Sequence, residues 1–441
     1  KKLSNLENEL FLKLIEEKNK DYSDDVKLIK SEFSSPGYHT TYKGDIVHRT
    51  LDSIEYALAL FDTHDKKYTS RANKIIDKIL SLQDTNPDNT TFGIWSWFYE
   101  EPLSEMSPPD WNWADFMGKV LLQIVIDYES EIGADRKNKI YQALNCACNS
   151  IMKRDAVITY TNIAIMDCYV TIIAGELLNN KEFFEYGKTK IINVRNHILK
   201  NGLTEYNSPT YTMVVLKDIS IAKEYVKDDN ALSCFSDIFN YAWKCVAEHY
   251  FYKTAEWAGP FGRAYSSLLK ENIRSYLMYA IERTDYFYDI DLSFFRTNLK
   301  CPNDYLEYFN KPVQRSVTHT FGRGITGAPA LMANCYLSEN FSLGTFLSNI
   351  MWNQCRNLIA HWGDDENSYY LNLRCLNNGY DFCGAKCNAV QNENKVLAIV
   401  NFAYDMGNTH PSLDLIENAT INTKDLRLSF EIGSSKKCDI N

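Results

Sequence analysis

From Asp45 to about Thr284 the apolar residues recur at helical spacing, broken only by short polar turns. In DIVHRTLDSIEYALALFD, Val47, Leu51, Ile54, Leu58 and Phe61 fall on one stripe that a single neighbour can cover. The same periodicity predicts helices over Ser70–Leu82, Trp113–Tyr128, Asp135–Met152, Asn162–Leu178, Lys181–Lys200, Thr210–Val226, Asn230–Tyr250 and Tyr265–Glu282. Their character alternates. NWADFMGKVLLQIVIDY and TNIAIMDCYVTIIAGELL are apolar on nearly every side, as buried helices are, whereas ADRKNKIYQALNCACNS and KEFFEYGKTKIINVRNHILK each keep a charged face. Buried and one-faced helices taking turns predict an inner and an outer ring, that is, an (α/α) toroid or incomplete barrel.

After Pro312 the texture changes. Thr, Gly and Asn multiply, and SVTHTFGRGITG, YYLNLRCL and KVLAIVNFAY read as short strands between turns. The expected fold is therefore mostly α, with a toroid over residues 1–310 and an antiparallel β-sheet or sandwich over 311–441.

Composition narrows the function. With 45% hydrophobic and 24% charged residues the chain has the make-up of a folded globular protein. A net charge of −10 with scattered basic residues argues against a nucleic-acid partner. The most apolar window, Ala156 to Gly175, contains Asn162, Asp167 and several Thr, so a buried helix is expected there and no membrane span. The opening KKLSNLENELFLKLIEEKNK is an amphipathic charged helix without the apolar run of a signal peptide. The 12 cysteines show no zinc-type pairing and read as small buried hydrophobes in a reducing compartment. A cytoplasmic location is expected, with secretion as the alternative if an export signal was removed. No HExxH, Walker loop, GxSxG elbow or dinucleotide fingerprint occurs, so neither a metal nor a cofactor is expected.

Four loop-to-helix junctions concentrate polar and aromatic side chains ahead of helices assigned to the inner ring, whose starts face one funnel. The first, WSWFYEEPLSEMSPPDWNWADFMG, offers Trp97, Glu101, Trp111, Asn112, Trp113 and Asp115 as binding residues. Its plainer reading is a cap at Asp110 or Asn112 with Trp rings filling core. The second is Tyr160-Thr161-Asn162, where Asn162 is either a binding residue or a cap. The third gathers Glu205, Tyr206, Asn207 and Tyr211 around Pro209. The fourth, Trp257-Ala-Gly-Pro-Phe-Gly-Arg263-Ala-Tyr265, places an Arg suited to a carboxylate after a Gly/Pro turn, or else an Arg engaged in an interior ion pair. His39, in GYHTTYKG, is expected at the funnel rim.

Taken together, DWNWADFMG, YTNIAIM, EYNSPTYT and AGPFGRAYS followed by strands resemble polysaccharide lyases of the heparinase II/III-like type. The resemblance implies a toroid plus β-sandwich, a glycan or small carbohydrate-like substrate, and cleavage of a uronic-acid glycan by β-elimination. It implies Asn207 and Arg263 as the groups that neutralise the uronate, and Tyr211 and Tyr265 as the proton-transfer groups. A phenol ionises near pH 10, so Tyr211 is expected to draw on Arg263 and on its helix N-terminus to reach a phenolate. Two alternatives stay open. Glu100, Glu101, Asp110, Asp115 and Glu205 offer carboxylate pairs for an inverting glycoside hydrolase, and a non-catalytic glycan-binding protein would use the same funnel. The oligomeric state is not addressed by the sequence.

Overall fold

Helix polarity sorts the first three hundred residues into two concentric layers. The computed structural model describes residues 2–34, 39–283, 286–322, 331–364, 366–402, 406–407 and 415–436. The helices are α1 (Asn5–Asp21), α2 (Thr50–Asp62), α3 (Thr69–Ser81), α4 (Trp113–Asp127), α5 (Glu129–Arg154), α6 (Thr161–Leu178), α7 (Lys181–Asn201), α8 (Pro209–Tyr225), α9 (Asp229–Glu248) and α10 (Glu271–Ala280). From α2 to α9 they pack as consecutive pairs. Helices α2, α4, α6, α8 and α10 follow one another around the inside, and α3, α5, α7 and α9 around the outside.

Burial follows the apolar pattern: 15 residues of the 18-residue α6 are buried, against 8 in the 26-residue α5. An all-apolar helix satisfies its backbone internally and has only side chains to hide, so the ring centre is where it costs least. Helix α6 is also long and apolar enough to cross a membrane, yet 83% of it is buried inside the ring.

The ring is closed by α1, which packs on α2 and on a short turn at Leu292–Arg296. A reciprocal capping box starts α1, the Ser4 hydroxyl accepting from the Glu7 N–H and the Glu7 carboxylate from the Ser4 N–H. One predicted helix is shorter than expected. Residues 259–270 are irregular because their backbone bonds go elsewhere: Ala264 N donates to Gln354 O at 2.7 Å and Gly262 N to Tyr206 O at 2.9 Å. Small antiparallel pairings that the periodicity did not announce precede the ring and interrupt it, β1 (Tyr22–Ser23), β2 (Leu28–Glu32) and β3 (Ile46–His48), then β4 (Tyr250–Phe251) and β5 (Glu256–Trp257).

The last α-helical turn ends at Asn310 and the large sheet starts at Arg315. Its strands are β6 (Arg315–Phe321), β7 (Leu331–Leu337), β8 (Phe341–Phe346), β9 (Ser348–Ile350), β10 (Leu358–Gly363), β11 (Ser368–Asn377), β12 (Tyr380–Asp381), β13 (Ala385–Asn392), β14 (Lys395–Phe402) and β15 (Leu426–Ser434). Seven form an antiparallel sheet in the order β12-β11-β10-β8-β7-β6, with β15 also on β11; β14-β13-β9 form a second sheet. The ends of two predicted strands, 323–327 and 403–404, lie outside the described residues.

Sheet and ring meet along β8 and β6. A Cβ on Gly344 would stand 2.1 Å from the Gly259 carbonyl oxygen, so only glycine lets β8 approach the loop that carries the fourth junction. Beside it the Tyr206 ring stacks on Phe321 with centroids 4.5 Å apart, and its hydroxyl lies 3.2 Å from His249 and 3.1 Å from His319.

Candidate functional site

Inner helices α4, α6 and α8 all begin at one end of the ring, so the first three junctions open on the same side, and the fourth folds back against the third. The best-defined cluster is built by the last two. Ser208 caps α8 by accepting from Tyr211 N at 3.2 Å, and Pro209 sets the first helical residue. That places Tyr211 in the first turn, its hydroxyl 2.6 Å from that of Tyr265. The Arg263 guanidinium lies 4.5 Å from the Tyr211 ring centroid and donates to Glu205 at 2.8 Å and to Gln354 at 2.9 Å. Its Nη2 makes no hydrogen bond among the described residues, and the side chain is 28% exposed.

The β region completes this wall. The Trp352 ring centroid stands 5.9 Å from Arg263, and Gln354 holds this loop twice, its side chain accepting from Arg263 and its carbonyl from Ala264 N. Neither was singled out in the sequence, although MWNQCRN, a Trp, Gln and Arg between two strands, was a readable signal.

Burial pushes the Tyr211 phenol well above the usual tyrosine range; Arg263 opposes the shift, while Tyr265 and Glu205 add to it. This runs against the expectation of a Tyr211 phenolate, because loss of solvation outweighs the pull of the guanidinium. Burial likewise raises the Glu205 carboxyl against the pull of Arg263, and Glu205 Oε2 is buried without a hydrogen-bond partner.

The first two junctions form the neighbouring wall. Asn112 accepts from Arg154 and reaches the Tyr160 hydroxyl at 3.5 Å. Glu205 and Asp110 both raise the Tyr160 phenol beyond the dominant effect of burial, which ties this wall to the first cluster. Trp97 donates to Asp110 at 3.1 Å, and its ring lies 5.4 Å from Trp113 and 5.2 Å from His39. His39 is fastened to the Pro108 carbonyl at 2.6 Å, at the edge of the Trp97 ring. Trp113 donates to Thr50 at 3.1 Å, and the half-buried Trp111 to Thr90 O at 2.9 Å. Arg154 reaches this wall from the C-terminal end of the outer helix α5, away from the four junctions that the sequence marks.

Other predicted site residues are turned inward. Asn207 is buried with its whole amide engaged: Nδ2 donates to Ala258 O at 2.8 Å and Pro260 O at 2.9 Å, and Oδ1 accepts from Trp257 at 2.6 Å. It therefore has no donor left for a uronate, and its φ of 46° is the left-handed turn that Asn tolerates. Trp257 is buried with it, and Tyr206 is buried at the sheet contact. Glu101 is buried and accepts from Thr41 N at 2.7 Å and Tyr42 N at 3.2 Å, fastening the incoming chain.

Asp115 and Asn162 lie under the cleft at 1% and 4% exposure. Both Asp115 oxygens and Asn162 Oδ1 are buried without a hydrogen-bond partner among the described residues. Burial, reinforced by the Asp167 charge, pushes the Asp115 carboxyl well up, while Lys190 holds Asp167 at 2.6 Å. Asp115 is a buried floor residue and not one that a ligand in the cleft would reach.

Two solved structures with a similar path are a heparinase III crystal structure and a second heparinase III with methylated lysines. The first shares 10% identity at a TM-score of 0.40, covering 98% of this chain and 91% of its own; the second shares 8% at 0.29, covering 88% and 83%. No curated protein matches the sequence. The model of a domain of unknown function, DUF8769, matches residues 21–286, a stretch that contains all five inner helices and all four junctions. Since that match spans more than half of its length, the chain belongs to the DUF8769 family.

Proposed function

We propose that this protein is a carbohydrate-active enzyme whose cleft cleaves a uronic-acid glycan by β-elimination. The observation that carries the reading is the Tyr211–Tyr265 hydroxyl pair under an Arg263 whose Nη2 is uncommitted. Arg263 binds the uronate carboxylate and offsets the charge that grows on it when the C5 proton leaves. In the proposed reactive form the pair holds one proton between the two oxygens, and Arg263, within electrostatic reach of both phenols, offsets its charge. Tyr265, 45% exposed, takes the C5 proton as its phenolate. The C–H electrons form the C4–C5 double bond, the C4–O bond breaks, and Tyr211 protonates the leaving oxygen. Transfer across the 2.6 Å contact then restores the starting state. Trp97, Trp113 and Trp352 supply faces on which sugar rings stack. Incubation with a panel of uronate polymers should release an unsaturated product absorbing in the near ultraviolet; a full panel without one overturns the reading.

A hydrolase reading rests on Glu205, whose raised carboxyl is what a general acid requires. Among its other carboxylates, Glu101 and Asp115 are buried, and Glu100 is held by the His48 backbone and ring. New reducing ends without unsaturation would favour it. Glycan bound without turnover would favour the non-catalytic alternative.

A further inference from the structure

The two outer strands of the large sheet differ in what they show to solvent. At β6 the face turned away from the ring exposes Ser316, Thr318 and Thr320. At β15 the same face exposes Leu426, Leu428, Phe430 and Ile432, each between 40% and 62% open. This row continues the apolar face of β11, where Leu428 stands opposite Cys375 and Phe430 opposite Leu373. Cys375 and Leu373 are buried in one cluster with Ala385 and Cys387 of β13, but that cover stops short of β15.

The backbone edge of β15 is open as well. The strand pairs with β11 residue for residue from Leu426 to Ser434, without a bulge, and has no strand on its other side among the described residues. Asp425 O accepts from Asn378 N at 2.7 Å and Ser435 N donates to Ser368 O at 2.9 Å, so the odd-numbered positions turn their backbone groups to β11. Those of Leu426, Leu428, Phe430 and Ile432 therefore point outward. Edge strands are ordinarily guarded by a Lys, a Pro, a bulge or a short length. This one, LRLSFEIGS, runs for nine residues and has none of them.

We propose that β15 is the interface of a twofold dimer, in which it pairs antiparallel with the same strand of a second copy of this chain and joins the two seven-stranded sheets into one. The strand is complementary to itself about Ser429. With the axis there, Leu426 meets the partner's Ile432, Leu428 meets the partner's Phe430 and Arg427 meets the partner's Glu431, and each pair occurs twice. Arg427 and Glu431 then occupy non-hydrogen-bonded positions, where facing side chains lie closest. Arg427 gives Nε and Nη2 to Asp425, which leaves Nη1 for the partner's Glu431. Moving the axis by one residue sets Arg427 against a Ser or a Gly and loses both ion pairs. Charge and apolar pattern thus select a second copy as the occupant of this edge.

The test is sedimentation of the full chain at micromolar concentration, where twice the chain mass is expected. Phe430→Lys, on the exposed row, should raise the dimer dissociation constant about a hundredfold or more while leaving the circular dichroism of the fold unchanged. Leu428→Lys carries the test if that variant does not fold. Ser429→Cys sets two thiols across the axis at the short separation of a non-hydrogen-bonded pair, so mild oxidation should give a covalent dimer that wild type does not form. The proposal is overturned if wild-type protein sediments as a monomer, if the folded lysine variant dimerises as wild type does, or if Ser429→Cys yields no covalent dimer.

Discussion

The hydroxyl oxygens of Tyr211 and Tyr265 stand 2.6 Å apart, 54 positions apart in the chain, and Arg263 covers the Tyr211 ring from 4.5 Å. Two phenols in hydrogen-bond contact beside one guanidinium act as a unit, and that coupling can be tested.

Tyr211→Phe and Tyr265→Phe each keep the ring and remove one end of the pair. Each should lower kcat on the responsive glycan by about a hundred- to ten-thousand-fold. The double variant should be little worse than either single one, because both losses disable the same proton transfer. Effects that multiply would mean that the hydroxyls act independently.

Arg263→Lys should fail to restore what Arg263→Ala removes. A lysine carries the charge, but its single nitrogen cannot span Glu205, Gln354 and a carboxylate as the separated nitrogens of the planar guanidinium do. Glycan affinity and kcat measured for both variants check this; near wild-type values for the lysine form would show that charge alone suffices.

Asn207→Ala should destabilise the fold and not merely silence the site. It leaves the Trp257 N–H and the carbonyls of Ala258 and Pro260 without their buried partner, a loss of about 2–3 kcal/mol. Denaturant unfolding should show a lower midpoint. An unchanged midpoint with lost activity would return Asn207 to the cleft.

Glu55 gives stability a pH dependence of known sign. Its carboxyl rises on folding from an ordinary 4.5 to about 7, so the folded state holds the proton more tightly. The advantage is present below pH 4.5 and is lost as pH rises from there to about 7. Asp52, Asp291, Lys119 and Lys217 face the group, and the lysines limit the effect to roughly 3 kcal/mol at most. Glu55→Gln should flatten the unfolding free energy across that window; an identical slope in both proteins would remove the assignment.

Local rules made the helices legible. The all-apolar Asn162–Leu178 could only be a buried helix, and the structure begins it one residue earlier, at Thr161. Helix starts were equally readable, since Ser208-Pro209 is both cap and first residue of α8. Where the pattern failed, the backbone bonded to distant chain. Residues 265–270 carry helical spacing, yet the segment before Glu271 is tied to the Gln354 loop, a partner that no local window contains.

Side-chain direction was the larger difference. Asn207 and Arg263 look alike as polar residues at loop-to-helix junctions, but one is buried in the 257–260 turn and the other stays half open between Tyr211 and Trp352. The sequence by itself determined the alternation of buried and exposed helices, the change to strands after Pro312, and the clustering of polar groups at inner helix starts, because each follows from periodicity and capping within a few residues. Only the tertiary structure decided that burial raises the Tyr211 phenol, that Asn207 holds a turn, that Trp352 and Gln354 complete the cleft and that Glu55 makes no hydrogen bond or ion pair among the described residues. Solvation and hydrogen-bond partners depend on what surrounds a group in space, and those neighbours come from segments far apart in the chain.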